Sequence, residues 1–88
     1  MEDEKVGYHK RSIRRGVFGE LSKIEEEVAE LADADEQGVR VMVLIELSDL
    51  VGAIRGYLLK RFGDSVTLDD LTKMADVTRR AFESGARN

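Results

Sequence analysis

The chain has 88 residues, of which 42% are hydrophobic and 36% charged, with a formal net charge of -4, no Pro and no Cys. This length reads as one small domain, 1-88, and the absence of Cys excludes a disulfide scaffold, a thiolate metal site and a cysteine nucleophile. Mild acidity argues against general nucleic-acid binding, no apolar run reaches the ~18 residues of a membrane span, and the acidic opening Met1–Lys5 does not read as a secretory signal, so the expectation is a soluble, cytoplasmic, helical protein.

Residues 1–8 are expected to form a disordered tail. A basic patch follows, made of His9, Lys10, Arg11, Arg14 and Arg15. Gly16 and Gly19 then flank Val17 and Phe18. Val17, Leu21, Ile24, Val28 and Leu31 recur at helical spacing and predict the first helix. The pattern leaves its first residue open, near Ser12 or near Gly19. Ser22 and Glu25 have capping-box spacing, but the apolar stripe runs through them, so Ser22 is read as lying inside the helix. The stripe ends around Ala34, and Asp35–Gly38 reads as a turn with Gly38 just past the helix end.

The second helix is predicted from about Val39 to Phe62, closing at Gly63. It is apolar nearly all round, from Val41, Met42, Val43, Leu44 and Ile45 to Tyr57, Leu58 and Leu59. Two other helices of this chain could hardly cover it, which predicts burial against other subunits. After a loop at 63–67, Thr67 is a good N-cap, with Asp69 and Asp70 in the first turn and Asp70 at capping-box spacing. A third helix is predicted over 67–84. The expected fold is all-α. Helices 1 and 2 form an antiparallel hairpin within 9–62, which assembles into an oligomeric four-helix bundle.

Two carboxylates lie in the middle of the apolar run of helix 2. Glu46 and Asp49 are three apart and share a face. An ionised carboxylate turned toward an interior is unfavourable unless it is paired or binds a metal. Helix 1 carries Glu26, Glu27 and Glu30. Glu30 lies eight residues before Gly38 and Glu46 eight after; Glu27 lies eleven before and Asp49 eleven after. In an antiparallel hairpin folded at Gly38 these pairs come level, roughly 12 and 16 Å from the turn at 1.5 Å per residue. Four carboxylates then converge. Such hard oxygen donors suit Mg²⁺ or Mn²⁺, with phosphate oxygens as further ligands, and hence phosphoanhydride hydrolysis.

The pattern Glu26-Glu27-x-x-Glu30 followed by Glu46-x-x-Asp49 resembles the EExxE…ExxD signature of the MazG-like all-α nucleotide pyrophosphohydrolase superfamily. The similarity runs roughly from Phe18 to Phe62 and includes the apolar flanks Val28-Ala29-Glu30-Leu31 and Ile45-Glu46-Leu47-Ser48-Asp49-Leu50. It implies hydrolysis of a nucleoside triphosphate to monophosphate and pyrophosphate with Mg²⁺ as cofactor. It also implies metal ligation by Glu27, Glu30, Glu46 and Asp49, catalytic roles for Glu26 and Glu27 in ligating metal or activating water, and a homo-oligomer, dimer or tetramer, of four-helix bundles.

Several residues carry a plainer reading beside the functional one. A run such as Glu25–Glu30 is by itself an ordinary solvated face. The Glu46/Asp49 pair can be a polar seam salt-bridged to Arg40 or Arg55. Lys10, Arg11, Arg14 and Arg15 divide between a solvated patch and triphosphate binding. Tyr57 and Lys60 are further candidates for lining the substrate site, against core packing for Tyr57 and dipole pairing for Lys60. His9 is expected at the surface and Phe18 in the core. Gly52 and Gly56 either let another helix approach or leave room for substrate. A function of a different class is a non-catalytic helical oligomer binding an anionic ligand or nucleic acid through Lys10–Arg15.

Overall fold

A computed structural model describes residues 4–5 and 9–83. In chain order the elements are β1 (Glu4–Lys5), β2 (Ile13–Arg14), α1 (Leu21–Gln37), α2 (Arg40–Phe62) and α3 (Leu68–Glu83). The all-α expectation holds: three helices dominate, and α1 packs along α2 as an antiparallel hairpin.

The turns form where the local chemistry dictates. Gly38 adopts the left-handed conformation, φ 76°, and its N–H donates to the carbonyls of Ala34 and Asp35. This is the glycine C-cap geometry that a side chain would strain. At the start of α1, Ser22 lies inside the helix, and its Oγ accepts the Val17 N–H at 3.0 Å. The N-terminus of α3 is a reciprocal capping box. The Thr67 N–H donates to Asp70 Oδ2 at 2.9 Å and the Asp70 N–H donates to Thr67 Oγ1 at 3.2 Å.

The expected tail needs one correction. Glu4 and Lys5 pair antiparallel with β2, Glu4 opposite Arg14 and Lys5 opposite Ile13. Ile13 is buried, so this short ribbon is tied down on the hairpin. The rest of the expected tail, and the predicted end of the third helix at 84, lie outside the described residues.

Polarity across the hairpin runs opposite to that of an ordinary globule. Among the described residues the buried apolar side chains are Ile13, Ala34, Ala53 and Leu58, whereas Glu26, Glu27, Glu30, Asp33 and Glu46 are all buried. The seam between α1 and α2 is therefore acidic. The apolar residues of α2 turn outward: Val41, Leu44, Ile45, Val51, Leu59 and Phe62 are exposed, Leu44 at 65%. On α1, Leu21 and Val28 are exposed as well, and Val17 precedes the helix. Among the described elements α3 meets α2, at its end, around Arg55, Leu58, Val66 and Leu68. No helix among the described residues is long and apolar enough to cross a membrane.

Candidate metal centre

The hairpin register brings the four predicted acids together. One carboxylate oxygen from each of Glu27, Glu30, Glu46 and Asp49 lies within 4.8 Å of the others. Glu27 and Glu30 come from one face of α1, Glu46 and Asp49 from one face of α2, and Gly38 sets the level at which they meet. Glu27, Glu30 and Glu46 are buried; Asp49 is exposed and stands at the mouth. Glu26 is buried beside them, whereas Glu25 points to solvent, so the solvated-face reading fails for all of the run's acids near the seam.

Two nitrogen-bearing side chains, Lys23 and His9, face the acids. Lys23 Nζ lies 3.1 Å from Glu26 Oε1 and 3.1 Å from Glu27 Oε2, one turn back along α1. Partial burial alone would lower the Lys23 pKa, but its hydrogen bonds to Glu27 and Glu26 outweigh that and raise it above the ordinary lysine value. Glu26 Oε1 also accepts the Gly16 N–H at 2.8 Å. Glu27 Oε1, in contrast, is buried with no hydrogen-bond donor.

The second group is the His9 imidazole, and here the expectation of a surface residue is wrong: its side chain is 4% exposed. Its Nδ1 is 2.8 Å from Asp33 Oδ2, and its Nε2 is 3.3 Å from Glu46 Oε2 and 3.9 Å from Glu30 Oε1. Asp33 Oδ2 also accepts the Lys10 N–H and the Gln37 amide, each at 3.0 Å. Burial would push the Asp33 carboxyl up, but hydrogen bonds from His9, the Lys10 backbone and Gln37 prevail and hold it below the ordinary range. Arg11 pairs with Glu36 and reaches Asp33 Oδ1 at 3.6 Å, which pins the segment after His9 onto α1. Arg40 and Arg55, the partners considered for a polar seam, are both exposed.

A cleft of about 340 Å³ opens beside the cluster, lined by Phe18, Lys23, Glu27, Ser48, Asp49, Gly52 and Ala53. Phe18 is not core: it is 65% exposed, and its ring lies over Gly56, where a Cβ would meet Cζ at 2.5 Å. Gly52 has open space above it. The predicted substrate contacts lie elsewhere on the surface. Arg14 and Arg15 line a separate cavity with Ser22, Glu25 and Glu26, whereas Glu27, the next residue along α1, lines the cleft. Lys10 is exposed, with its N–H on Asp33. Tyr57 lies under the Arg61 guanidinium, 5.0 Å from ring centroid to Cζ. Lys60 pairs with Glu20 at 3.2 Å.

Three residues at the site escaped the sequence reading. Lys23 and Asp33 were findable, since each stands three residues from a cluster acid on the same helix face. His9 was not, because its contacts depend on a strand ribbon too short to show periodicity. Comparison with protein-family models, with curated proteins and with solved structures finds no match.

Proposed function

We propose that the chain is a MazG-like nucleotide pyrophosphohydrolase, which hydrolyses a nucleoside triphosphate to monophosphate and pyrophosphate with Mg²⁺ or Mn²⁺ as cofactor. The observation that carries this reading is the convergence of Glu27, Glu30, Glu46 and Asp49 on one small volume, with Glu27 Oε1 buried and lacking a donor. Four hard oxygen donors of this kind fit a divalent cation, which when bound would neutralise phosphate charge and polarise the phosphoanhydride.

The remaining roles fall to the chain. Glu26, held by Gly16 and Lys23, orients water and takes its proton as the oxygen attacks the α-phosphorus. The new bond joins that oxygen to the α-phosphorus; the bridging bond to the β-phosphate breaks and pyrophosphate leaves. Lys23 lines the cleft and offers an ammonium to a phosphate oxygen. Lys10, Arg14 and Arg15 are exposed and lie outside the cleft, so their part is to add positive charge that attracts the triphosphate from the surrounding surface. The outward apolar face of α2 accounts for a homo-oligomer, and the site belongs to a cytoplasmic enzyme.

The deciding experiment incubates the chain with a panel of ribo- and deoxyribonucleoside triphosphates and Mg²⁺, scoring pyrophosphate and orthophosphate separately. Pyrophosphate release that stops in excess chelator supports the reading. Orthophosphate as the sole product, or full activity in chelator, overturns it.

A further inference from the structure

One imidazole meets two of the same carboxylates. His9 is buried, with Nδ1 2.8 Å from Asp33 Oδ2. An ionised carboxylate only accepts hydrogen bonds, so this contact holds a proton on Nδ1 and turns Nε2, the nitrogen that can ligate a metal, toward the acid cluster. Nε2 faces Glu46 Oε2 at 3.3 Å and Glu30 Oε1 at 3.9 Å. Bonds of about 2.1 Å to a common ion set neighbouring donor atoms about 3.0–3.4 Å apart, so the two nitrogen–oxygen distances need only sub-ångström adjustment, and one donor atom from each of the three residues lies within 4.8 Å of the others. A histidine whose other nitrogen is held by a carboxylate is the arrangement typical of metal ligation, because the carboxylate fixes both tautomer and ring orientation. Asp33 is itself held by the Lys10 N–H and Gln37. Glu30 and Glu46 also belong to the all-oxygen set with Glu27, whose Oε1 is buried without a donor, and Asp49.

We propose that His9, Glu30 and Glu46 form a second, nitrogen-containing cation subsite, which takes a divalent first-row transition ion of the Mn²⁺–Co²⁺–Zn²⁺ class and shares Glu30 and Glu46 with the all-oxygen set. The inference rests on the metal reading of the carboxylate cluster proposed above. The two subsites differ in donor chemistry. Carboxylate oxygens alone accommodate Mg²⁺, whereas an imidazole nitrogen favours the later ions. Asp33 acts as a positioning residue through His9, and the ribbon of β1 and β2 carries His9 into the hairpin.

The test titrates the metal-free full chain with Co²⁺, followed by visible absorption and calorimetry, and separately with Mg²⁺. The wild type should bind two Co²⁺ per chain and His9→Gln one, with Mg²⁺ affinity retained. Asp33→Asn should bind Co²⁺ at this subsite roughly 10–100-fold more weakly. His9 is the chain's single histidine. Its imidazole resonances therefore report Zn²⁺ binding in the unsubstituted protein, whatever the variants do to folding. Equal Co²⁺ stoichiometry in wild type and His9→Gln, or Zn²⁺ that leaves the imidazole resonances in place, overturns the second subsite while leaving the all-oxygen site standing. A wild type that binds neither Mg²⁺ nor Co²⁺ overturns both.

Discussion

Glu46→Gln separates a cation site from a salt-bridged polar seam. Glu46 is 1% exposed, and its carboxylate oxygen lies within 4.8 Å of oxygens from Glu27, Glu30 and Asp49. At an effective dielectric constant near 20, a like-charge contact at that limiting distance is unfavourable by about 3.5 kcal/mol, and a closer one by more. The Asp49 contribution is smaller, because that side chain is exposed to solvent. On the favourable side stands His9 Nε2 at 3.3 Å, worth at most about 5 kcal/mol on the same scale and only while the imidazole is charged. Among these contacts, removing the Glu46 charge relieves three repulsions against the one attraction to His9, so the metal-free variant should be as stable as the wild type or more so. In the wild type, Mg²⁺ at a hundredfold excess over Kd should add about 2.7 kcal/mol. For a domain of this size that corresponds to a rise in melting temperature of roughly 11–22 °C. Glu46→Gln should abolish activity and lose most of that rise. The assay is thermal melting by circular dichroism at fixed protein concentration, with and without Mg²⁺, beside pyrophosphate release. A metal-free variant destabilised by about 3–5 kcal/mol, as when one partner of a buried ion pair is removed, together with a wild type indifferent to Mg²⁺, would refute the reasoning.

Gly52→Ala should stabilise α2 by up to about 1 kcal/mol, since a Cβ there meets nothing. Substrate affinity should fall because the new methyl enters the cleft; destabilisation in thermal melts would show instead that another helix packs against Gly52. Neutralising Lys10, Arg14 or Arg15 to Gln should raise KM more than it lowers kcat, as for contacts made in the ground state, and unchanged kinetics for all three would return them to a solvated patch. Light scattering at micromolar concentration should show a homo-oligomer, and charge placed at Leu44 on the outward face of α2 should dissociate it; a wild-type monomer with a cooperative melt counts against this. Asp70→Asn tests the α3 cap. The Thr67 N–H and hydroxyl hold the Asp70 carboxyl below its ordinary range. Its stabilising effect is thus full above an unfolded-state pKa near 4 and is lost as pH falls toward the lowered folded value. The stability gap between wild type and Asp70→Asn should therefore close below about pH 4, and a gap constant from pH 7 to pH 3 would contradict the cap's electrostatic origin.

What was legible in the sequence is what short-range chemistry decides. Gly38 closes α1 because the C-cap needs a left-handed residue, and counting outward from it gives the register that joins Glu30 with Glu46 and Glu27 with Asp49. Thr67 and Asp70 announce the start of α3 by spacing alone. The orientation of α1 was less legible. Helical spacing shows that Leu21, Ile24, Val28 and Leu31 share a face, but says nothing of which face meets α2. The acids took that position, and Leu21 and Val28 were left exposed. His9 lay beyond reach for another reason. Its partners are Asp33, 24 residues away, and Glu46, further still, and it reaches them through two strands of two residues each. Phe18 reads as core by composition, yet its ring is spent covering Gly56, with most of its surface open to the cleft.

The inverted polarity of the hairpin ties its two unresolved requirements together. A seam of Glu26, Glu27, Glu30, Asp33 and Glu46 supplies little hydrophobic stabilisation, and among the described residues the buried apolar side chains Ile13, Ala34, Ala53 and Leu58 form a small core. The apolar area that would offset the conformational entropy of folding lies outside, on Val41, Leu44, Val51, Leu59 and Phe62, where only another surface can cover it. Covering that face also removes water from around α2. The effective dielectric at the carboxylates falls, so their mutual repulsion grows and a divalent cation among them gains more. If association tightens cation binding, cation binding must tighten association by the same factor. On the proposed reading, a single chain would therefore have its weakest site and its weakest fold in the same state, each strengthened by the event that completes the other.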